Sequence, residues 1–277
     1  MGVALLALSA SSYGFIPIFA RFAYDAGSSP IALLAYRYAI VASVLLAAQW
    51  LRGRPLGLPP GRRLVGIATG LLFPVIAYGY LAAVARIPVN LAVLLFFTYP
   101  PLVALVAWLR GEHLGMRRAA AIVAAFLGTA LALGVEINTL DPIGVSLALM
   151  GSLAYAFMIL YCGRAMAGID AGTLNLHVMT TCALVSLPIA LATGQLKLPA
   201  TNLGIFGVAG VVVTYFVGVV AFFAALKRIG PVRTALLSQL EPVVSIFAAV
   251  LILREQVSTL QGLGIALLMA ALYALAR

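Results

Sequence analysis

The chain is cut into apolar runs of about 20 residues, separated by short polar connections. That spacing constrains the fold more than any single motif, because a helix of that length spans the hydrocarbon core of a bilayer. Ten runs are expected as helices, at residues 3–22, 31–51, 64–85, 89–109, 117–136, 143–163, 172–193, 203–226, 231–252 and 258–276. The longest connection, residues 51–63, contains RGRPLGLPPGRR and reads as a Pro/Gly loop.

Composition closes off the soluble alternative. Residues are 64% hydrophobic and 9% charged, with a mean hydropathy of +1.15. A soluble domain carries about 25% charged residues, so this chain cannot cover a water-facing surface. A membrane barrel would alternate polar and apolar positions, and these runs do not. The fold class implied is an all-α integral membrane protein with the lipid bilayer as its partner. The opening MGVALLALSASSYG has no basic stretch before its apolar run, so a first span is expected rather than a cleaved signal.

The net charge of +10 is read as topology, not as a nucleic-acid footprint. With the N-terminus inside, Arg52, Arg54, Arg62, Arg63, Arg110, Arg117, Arg118, Arg164, Lys227, Arg228, Arg233 and Arg277 fall on the inner side, 12 of the 17 basic residues. Arg21, Arg86, Lys197 and Arg254 stay outside, and Arg37 lies within a span. Both termini are therefore expected to be cytoplasmic, in a bacterial-type cytoplasmic (inner) membrane.

A shift of 142 residues superposes Tyr13 and Phe15 on Tyr155 and Phe157, Arg86-Ile87 on Arg228-Ile229, and Pro100 on Pro242. Glu112 meets Glu255 after a one-residue gap. Two five-helix repeats are expected, residues 1–136 and 142–277, forming one compact unit. Five is odd, so the second copy enters the membrane inverted, the organisation of many secondary transporters. Proline in mid-helix costs about 3 kcal/mol, so Pro100, Pro101 and Pro242 are expected as helix breaks beside a cavity.

The segments VNLAVLLFFTYPPLVALVAWLRGEHL (89–114) and TALLSQLEPVVSIFAAVLILREQVSTLQGLGIALL (234–268) resemble the two copies of the ten-span drug/metabolite transporter superfamily, of EamA type. In that family a proline sits mid-span and a glutamate follows about a dozen residues later, as in both halves here. The family commonly has Trp-Gly in the first span, where this chain has Tyr13-Gly14. Overall likeness is greatest to exporters of aromatic amino acids.

A carboxylate in mid-membrane costs at least about 2.5 kcal/mol. Glu241 is the one acid well inside an expected span and so the first candidate for substrate or proton contact. On a continuous helix, Thr234, Ser238 and Ser245 share its face. That stripe is either a polar cavity wall or a capped kink, in which hydroxyls satisfy the Ser238 carbonyl freed by Pro242. The repeat places Ala92, Phe96, Tyr99 and Val103 at the matching positions of the fourth span, an aromatic wall facing an acidic one. Tyr78 and Tyr80 cannot share a face, and Tyr78 is favoured for the cavity.

Tyr13, Tyr155, Tyr215 and Asn90 are further candidates, with interfacial, packing or capping roles competing. Trp50 and Trp108 are expected as interface anchors and His177 as a packing residue. Arg37 is expected to be structural or to snorkel outward, with attraction for a substrate carboxylate or pairing with Glu241 as alternatives. GxSxG, HExxH and P-loop patterns are absent. No catalytic residue, cofactor or metal is expected.

The function expected is alternating-access export of small amphiphilic metabolites, with aromatic and other neutral amino acids favoured by the resemblance. A carrier for cationic drugs or nucleosides is the alternative, and a membrane enzyme or structural subunit the remote one. Protons are a candidate coupling ion, and a monomer is the expected unit.

Overall fold

A computed structural model describes residues 1–84, 86–113, 115–134, 141–166, 168–254 and 256–276. Glu255, Arg277, residue 85 of the third expected span and residues 135–136 of the fifth lie outside the described residues. Among the described residues every regular element is a helix. They are α1 (Gly2–Gly14), α2 (Ile16–Asp25), α3 (Pro30–Leu51), α4 (Arg63–Val84), α5 (Val89–Phe96), α6 (Tyr99–Leu109), α7 (Met116–Leu133), α8 (Pro142–Ala165), α9 (Ala171–Ala192), α10 (Asn202–Leu237), α11 (Leu240–Ala248), a π-helical turn (Ala249–Leu253) and α12 (Thr259–Ala276).

Eight helical segments are long and apolar enough to cross a membrane, with α1–α2 and α5–α6 each forming one of them. Leu240–Ile252 and Thr259–Leu275 are shorter apolar helices. At 1.5 Å per residue, the 36 residues of α10 would run about 54 Å, far beyond a hydrocarbon core of about 30 Å. Gly230 resolves this. Its backbone leaves the helical region at φ 77° and ψ 172°, a conformation open to glycine, and Pro231 restarts the helix beyond it. The expected eighth and ninth spans therefore meet at Gly230, inside one hydrogen-bonded run.

Side-chain caps set the starts of four helices. Ser29, Asp141, Asp170 and Thr201 accept hydrogen bonds from the backbone N–H groups of Ala32, Ile143, Thr173 and Gly204. Pro30 and Pro142 follow their caps in the first turn, where the missing N–H would be unpaired in any case.

Pro100, Pro101 and Pro242 use the same rule, whereas Pro74 and Pro188 lie inside α4 and α9. Pro100 and Pro101 lie in the first turn of α6, after a break at Phe97-Thr98, so the interior-proline penalty is largely avoided. The Thr98 hydroxyl donates to the Leu95 carbonyl at 2.7 Å and lies 2.8 Å from the Ser152 hydroxyl. Pro242 likewise lies in the first turn of α11, after a break at Ser238-Gln239. The Ser238 carbonyl freed by Pro242 accepts from the Glu241 N–H at 3.0 Å, so the backbone itself satisfies it where hydroxyls were expected to. A third break was not foreseen: α1 gives way to α2 at Phe15, with Pro17 in the new first turn.

Packing pairs α1 with α10, α4 with α8, α3 with α9, and α7 with α12. Small residues permit the closest crossings. A Cβ on Gly79 of α4 would sit 2.8 Å from the Leu147 carbonyl oxygen of α8. Large apolar side chains cover the outside, with Leu184, Phe206 and Leu251 all exposed, as a lipid-facing surface requires. Trp50 and Trp108 are exposed near the ends of their helices.

The two ends of the bundle differ. At one end Arg54 pairs with Asp170 at 3.5 Å, Lys227 donates to the Ile169 carbonyl at 2.6 Å, and Thr173 donates to the Pro55 carbonyl at 3.1 Å. Burial pushes the Asp170 carboxyl up, but the Thr173 N–H, Gln49 and Arg54 hold it below its ordinary value. The opposite end carries the Arg86–Asp141 pair at 3.0 Å, where the Ile143 N–H and then Arg86 lower the Asp141 carboxyl. A cavity enters from this second end.

Candidate functional site

The cavity has a volume of about 680 Å³, within the roughly 300–1,000 Å³ typical of small-molecule sites. Its mouth is formed by Tyr24, Asp25, Val89, Gln256 and Val257, all near helix ends at the second end of the bundle. Its walls descend along α1–α5, α7, α8, α10 and α11. Phe222, Phe223, Met158, Ile159 and Leu226 do not line it and are fully buried in the packed core.

Helical periodicity selects the lining. On α3 the cavity takes Pro30, Leu33, Leu34, Arg37 and Tyr38, and on α4 it takes Phe73, Ile76, Ala77 and Tyr80. These are i, i+3, i+4, i+7 faces. Tyr78 falls on the opposite side of α4 and is 65% exposed. The expectation of Tyr78 in the cavity is corrected: Tyr80 occupies that place, because residue 80 and not 78 continues the 73–76–77 face.

Of the other expected site residues, Tyr13, Asn90, Phe96, Glu241, Pro242 and Ser245 line the cavity. Tyr99, Ser238, Pro100 and Pro101 do not. The Ser238 hydroxyl donates to the Thr234 carbonyl at 2.7 Å, and the Thr234 hydroxyl donates to the Gly230 carbonyl at 2.7 Å. The expected polar stripe is therefore divided. Its lower half is turned to backbone because the break at Ser238-Gln239 ends the continuous helix on which the spacing depended. Tyr99 is a supporting residue, its ring 4.5 Å from that of Tyr155 and only 1% exposed.

Two groups of rings result. Tyr80, Phe96 and Tyr155 form one, with Tyr80–Phe96 and Phe96–Tyr155 centroid distances of 5.5 and 5.6 Å. Tyr13, Tyr38 and Tyr215 form the other, with Tyr13–Tyr215 and Tyr38–Tyr215 distances of 5.8 and 5.6 Å. Arg37 belongs to the second group. Its guanidinium carbon lies 4.7 Å from the Tyr38 ring centre and 4.3 Å from that of Tyr215, and Nη2 donates to the Tyr38 hydroxyl at 2.8 Å. Arg37 does not snorkel: it turns into the cavity, where the rings screen its charge from lipid. Glu241 enters from α11 and forms no ion pair with a described residue.

His177 lies outside this cavity, with Nδ1 3.0 Å from the Thr173 carbonyl oxygen. Among the described residues no three His, Cys, Asp or Glu side chains gather as metal ligands. Tyr38 and Phe73 line the cavity without having been expected there, and Tyr80 takes the place given to Tyr78. Their signal was present in the i, i+3, i+4, i+7 faces they complete.

A ring-lined cavity with one cationic and one anionic wall suits a small amphiphile, and relatives agree with a role in transport. The uncharacterized transporter YcbK of Bacillus subtilis (strain 168) is 26% identical over 282 residues, covering 95% of this chain and 88% of its own. The uncharacterized transporter sll1319 of Synechocystis sp. (strain ATCC 27184 / PCC 6803 / Kazusa) is 26% identical over 254 residues, covering 83% of this chain and 72% of its own. A crystal structure at 19% identity superposes with a TM-score of 0.81, over 99% of this chain and 96% of the other, and shares the fold. The sequence model of the EamA-like transporter family matches twice, over residues 1–134 and 142–277. This multi-pass membrane protein belongs to the EamA-like transporter family.

Proposed function

We propose that the protein exports small amphiphilic metabolites, aromatic and other neutral amino acids foremost, by alternating access through this cavity. The observation that carries the reading is a cavity of about 680 Å³ lined by Arg37, Glu241 and nine rings of Tyr and Phe, Tyr13, Tyr38, Tyr80, Phe96, Tyr155 and Tyr215 among them. The rings suit an apolar side chain, and the two charges suit a bipolar head. The resemblance to aromatic amino acid exporters supplies the direction.

The mechanism rests on two inverted repeats, residues 1–136 and 142–277. Equivalent contacts in the two halves support it. Gly2 packs on Ile229 and Arg228, while Gly144, 142 residues later, packs on Ile87 and Arg86. With both termini cytoplasmic, the mouth of the cavity faces outward, and the contacts among Arg54, Asp170, Lys227 and Ile169 close the cytoplasmic side. Rocking of one repeat against the other exchanges the open and closed ends. Glu241 is the group that takes a proton if transport is proton-coupled.

Glu241 beside aromatic rings also favours a second reading, a carrier for cationic drugs or nucleosides. Reconstitution into liposomes separates the two. Unlabelled tryptophan and phenylalanine are expected to compete with labelled phenylalanine, and a cationic dye is not. Competition by the dye alone refutes the favoured substrate class, and the absence of any saturable flux refutes the carrier.

A further inference from the structure

We infer that Arg37 and Tyr215 form a carboxylate-binding subsite, so that the cavity selects compounds with a free carboxylate over the corresponding amines. The occupant rests on the transport reading above; the subsite rests on side-chain geometry. Arg37 spends one nitrogen, Nη2, on the Tyr38 hydroxyl. Its Nε is buried and has no hydrogen-bond partner, and Nη1 forms no hydrogen bond with a described residue. The free Nε–H is a charged donor that a carboxylate oxygen accepts well. The Tyr215 hydroxyl, on a side chain only 4% exposed, is a second buried polar atom without a partner. Both residues line the cavity, with the Arg37 guanidinium 4.3 Å from the Tyr215 ring centre.

Unpaired buried donors are expensive, and a buried guanidinium more so. Here they are held in place. The Tyr38 and Tyr215 rings fix the guanidinium, and the Tyr38 hydrogen bond fixes its rotation. Among the described residues no acid forms an ion pair with Arg37. One carboxylate satisfies the orphaned atoms together. Glu241 lines the same cavity, so an ammonium on the same ligand points toward it, and an apolar side chain lies against Tyr80, Phe96 and Tyr155.

Two half-ligands test this without transport. 3-Phenylpropionate carries the carboxylate and no ammonium; phenethylamine carries the ammonium and no carboxylate. Binding is read from thermal stabilisation of the purified full chain in detergent. 3-Phenylpropionate is expected to stabilise the wild type. Arg37→Gln is expected to weaken it about 10- to 100-fold and Tyr215→Phe about 3- to 10-fold, the range for hydrogen bonds to a charged group. Phenethylamine binding is expected to be unchanged in both. Tyr215→Phe keeps the ring under the guanidinium, so it tests the point even if Arg37→Gln does not fold. The proposal is overturned if 3-phenylpropionate fails to stabilise the wild type, or stabilises Arg37→Gln and Tyr215→Phe as well as the wild type. Stabilisation that depends on Arg37, with no phenylalanine flux in liposomes, upholds the subsite and refutes the transported substrate. Flux without carboxylate preference does the reverse.

Discussion

Gly14 places the first span against the helix that carries Glu241, and adding one methyl group tests that contact. A Cβ at Gly14 would lie 2.8 Å from Cβ and Cγ1 of Val244 and 3.0 Å from the Glu241 carbonyl oxygen. Carbon contacts settle at about 3.5–4.0 Å, so Gly14→Ala must part α1 and α11 by about 0.7 Å or more. Overpacking of this kind costs about 1–3 kcal/mol. The exchange also returns up to about 1 kcal/mol, because alanine favours the helix over glycine. Gly262 supplies the control: it lies in α12, and its Cβ would meet nothing within 4 Å. The helix term is shared, so the difference between Gly14→Ala and Gly262→Ala isolates the clash, at about 1–3 kcal/mol. Thermal unfolding of both variants in detergent reads the difference, and flux in liposomes reads the displacement of Glu241. Gly14→Ala is expected to melt below the wild type and to transport poorly, and Gly262→Ala to melt at or above it. If the two variants melt together and transport alike, α1 and α11 are not packed as described.

Three further outcomes follow from the same geometry. Tyr80→Ala is expected to raise the KM for tryptophan about 2- to 10-fold, the range for an aromatic contact, while Tyr78→Ala, on the outer face, leaves it within about twofold. Equal effects of the two would place the wrong face of α4 in the cavity. Glu241→Gln is expected to remove any dependence of flux on a pH gradient, measured with and without an imposed gradient; a persistent dependence assigns the proton to another group. Asp170 is held below its ordinary value, so it adds stability at neutral pH that is lost as pH falls through its lowered folded pKa. Asp170→Ala is expected to lose about 1 kcal/mol of capping at neutral pH and to differ less from the wild type below about pH 4. A constant difference across that range would contradict the role given to the ionised carboxylate.

The apolar runs announced the helices because each span must satisfy its own backbone in lipid. Run length cannot show where a span pauses. Pro100 and Pro242 pointed to two breaks, and both helices do break just before them. The break at Phe15 was signalled only by Gly14 and Pro17, which a 20-residue apolar window passes over. The same limit misplaced Ser238 and Thr234: spacing put them on the Glu241 face of one helix, and the break put them elsewhere. Arg37 was misread for a different reason. An arginine in a span is expensive unless something screens it, and Tyr215, the ring nearest it at 4.3 Å, is 178 residues away in sequence. Glu241 was legible because a lone carboxylate in a long apolar run has few other roles. Tyr80 was legible from the 73–76–77–80 face, had that period been weighed against Tyr78.

Counterflow tests the central claim most directly. Liposomes containing only this protein are loaded with unlabelled phenylalanine, and entry of labelled phenylalanine is followed from the outside. A cavity that alternates between the two sides predicts saturable entry with transient accumulation above equilibrium, driven by the internal pool. Entry that is linear in concentration and indifferent to the internal pool would contradict alternating access through this site.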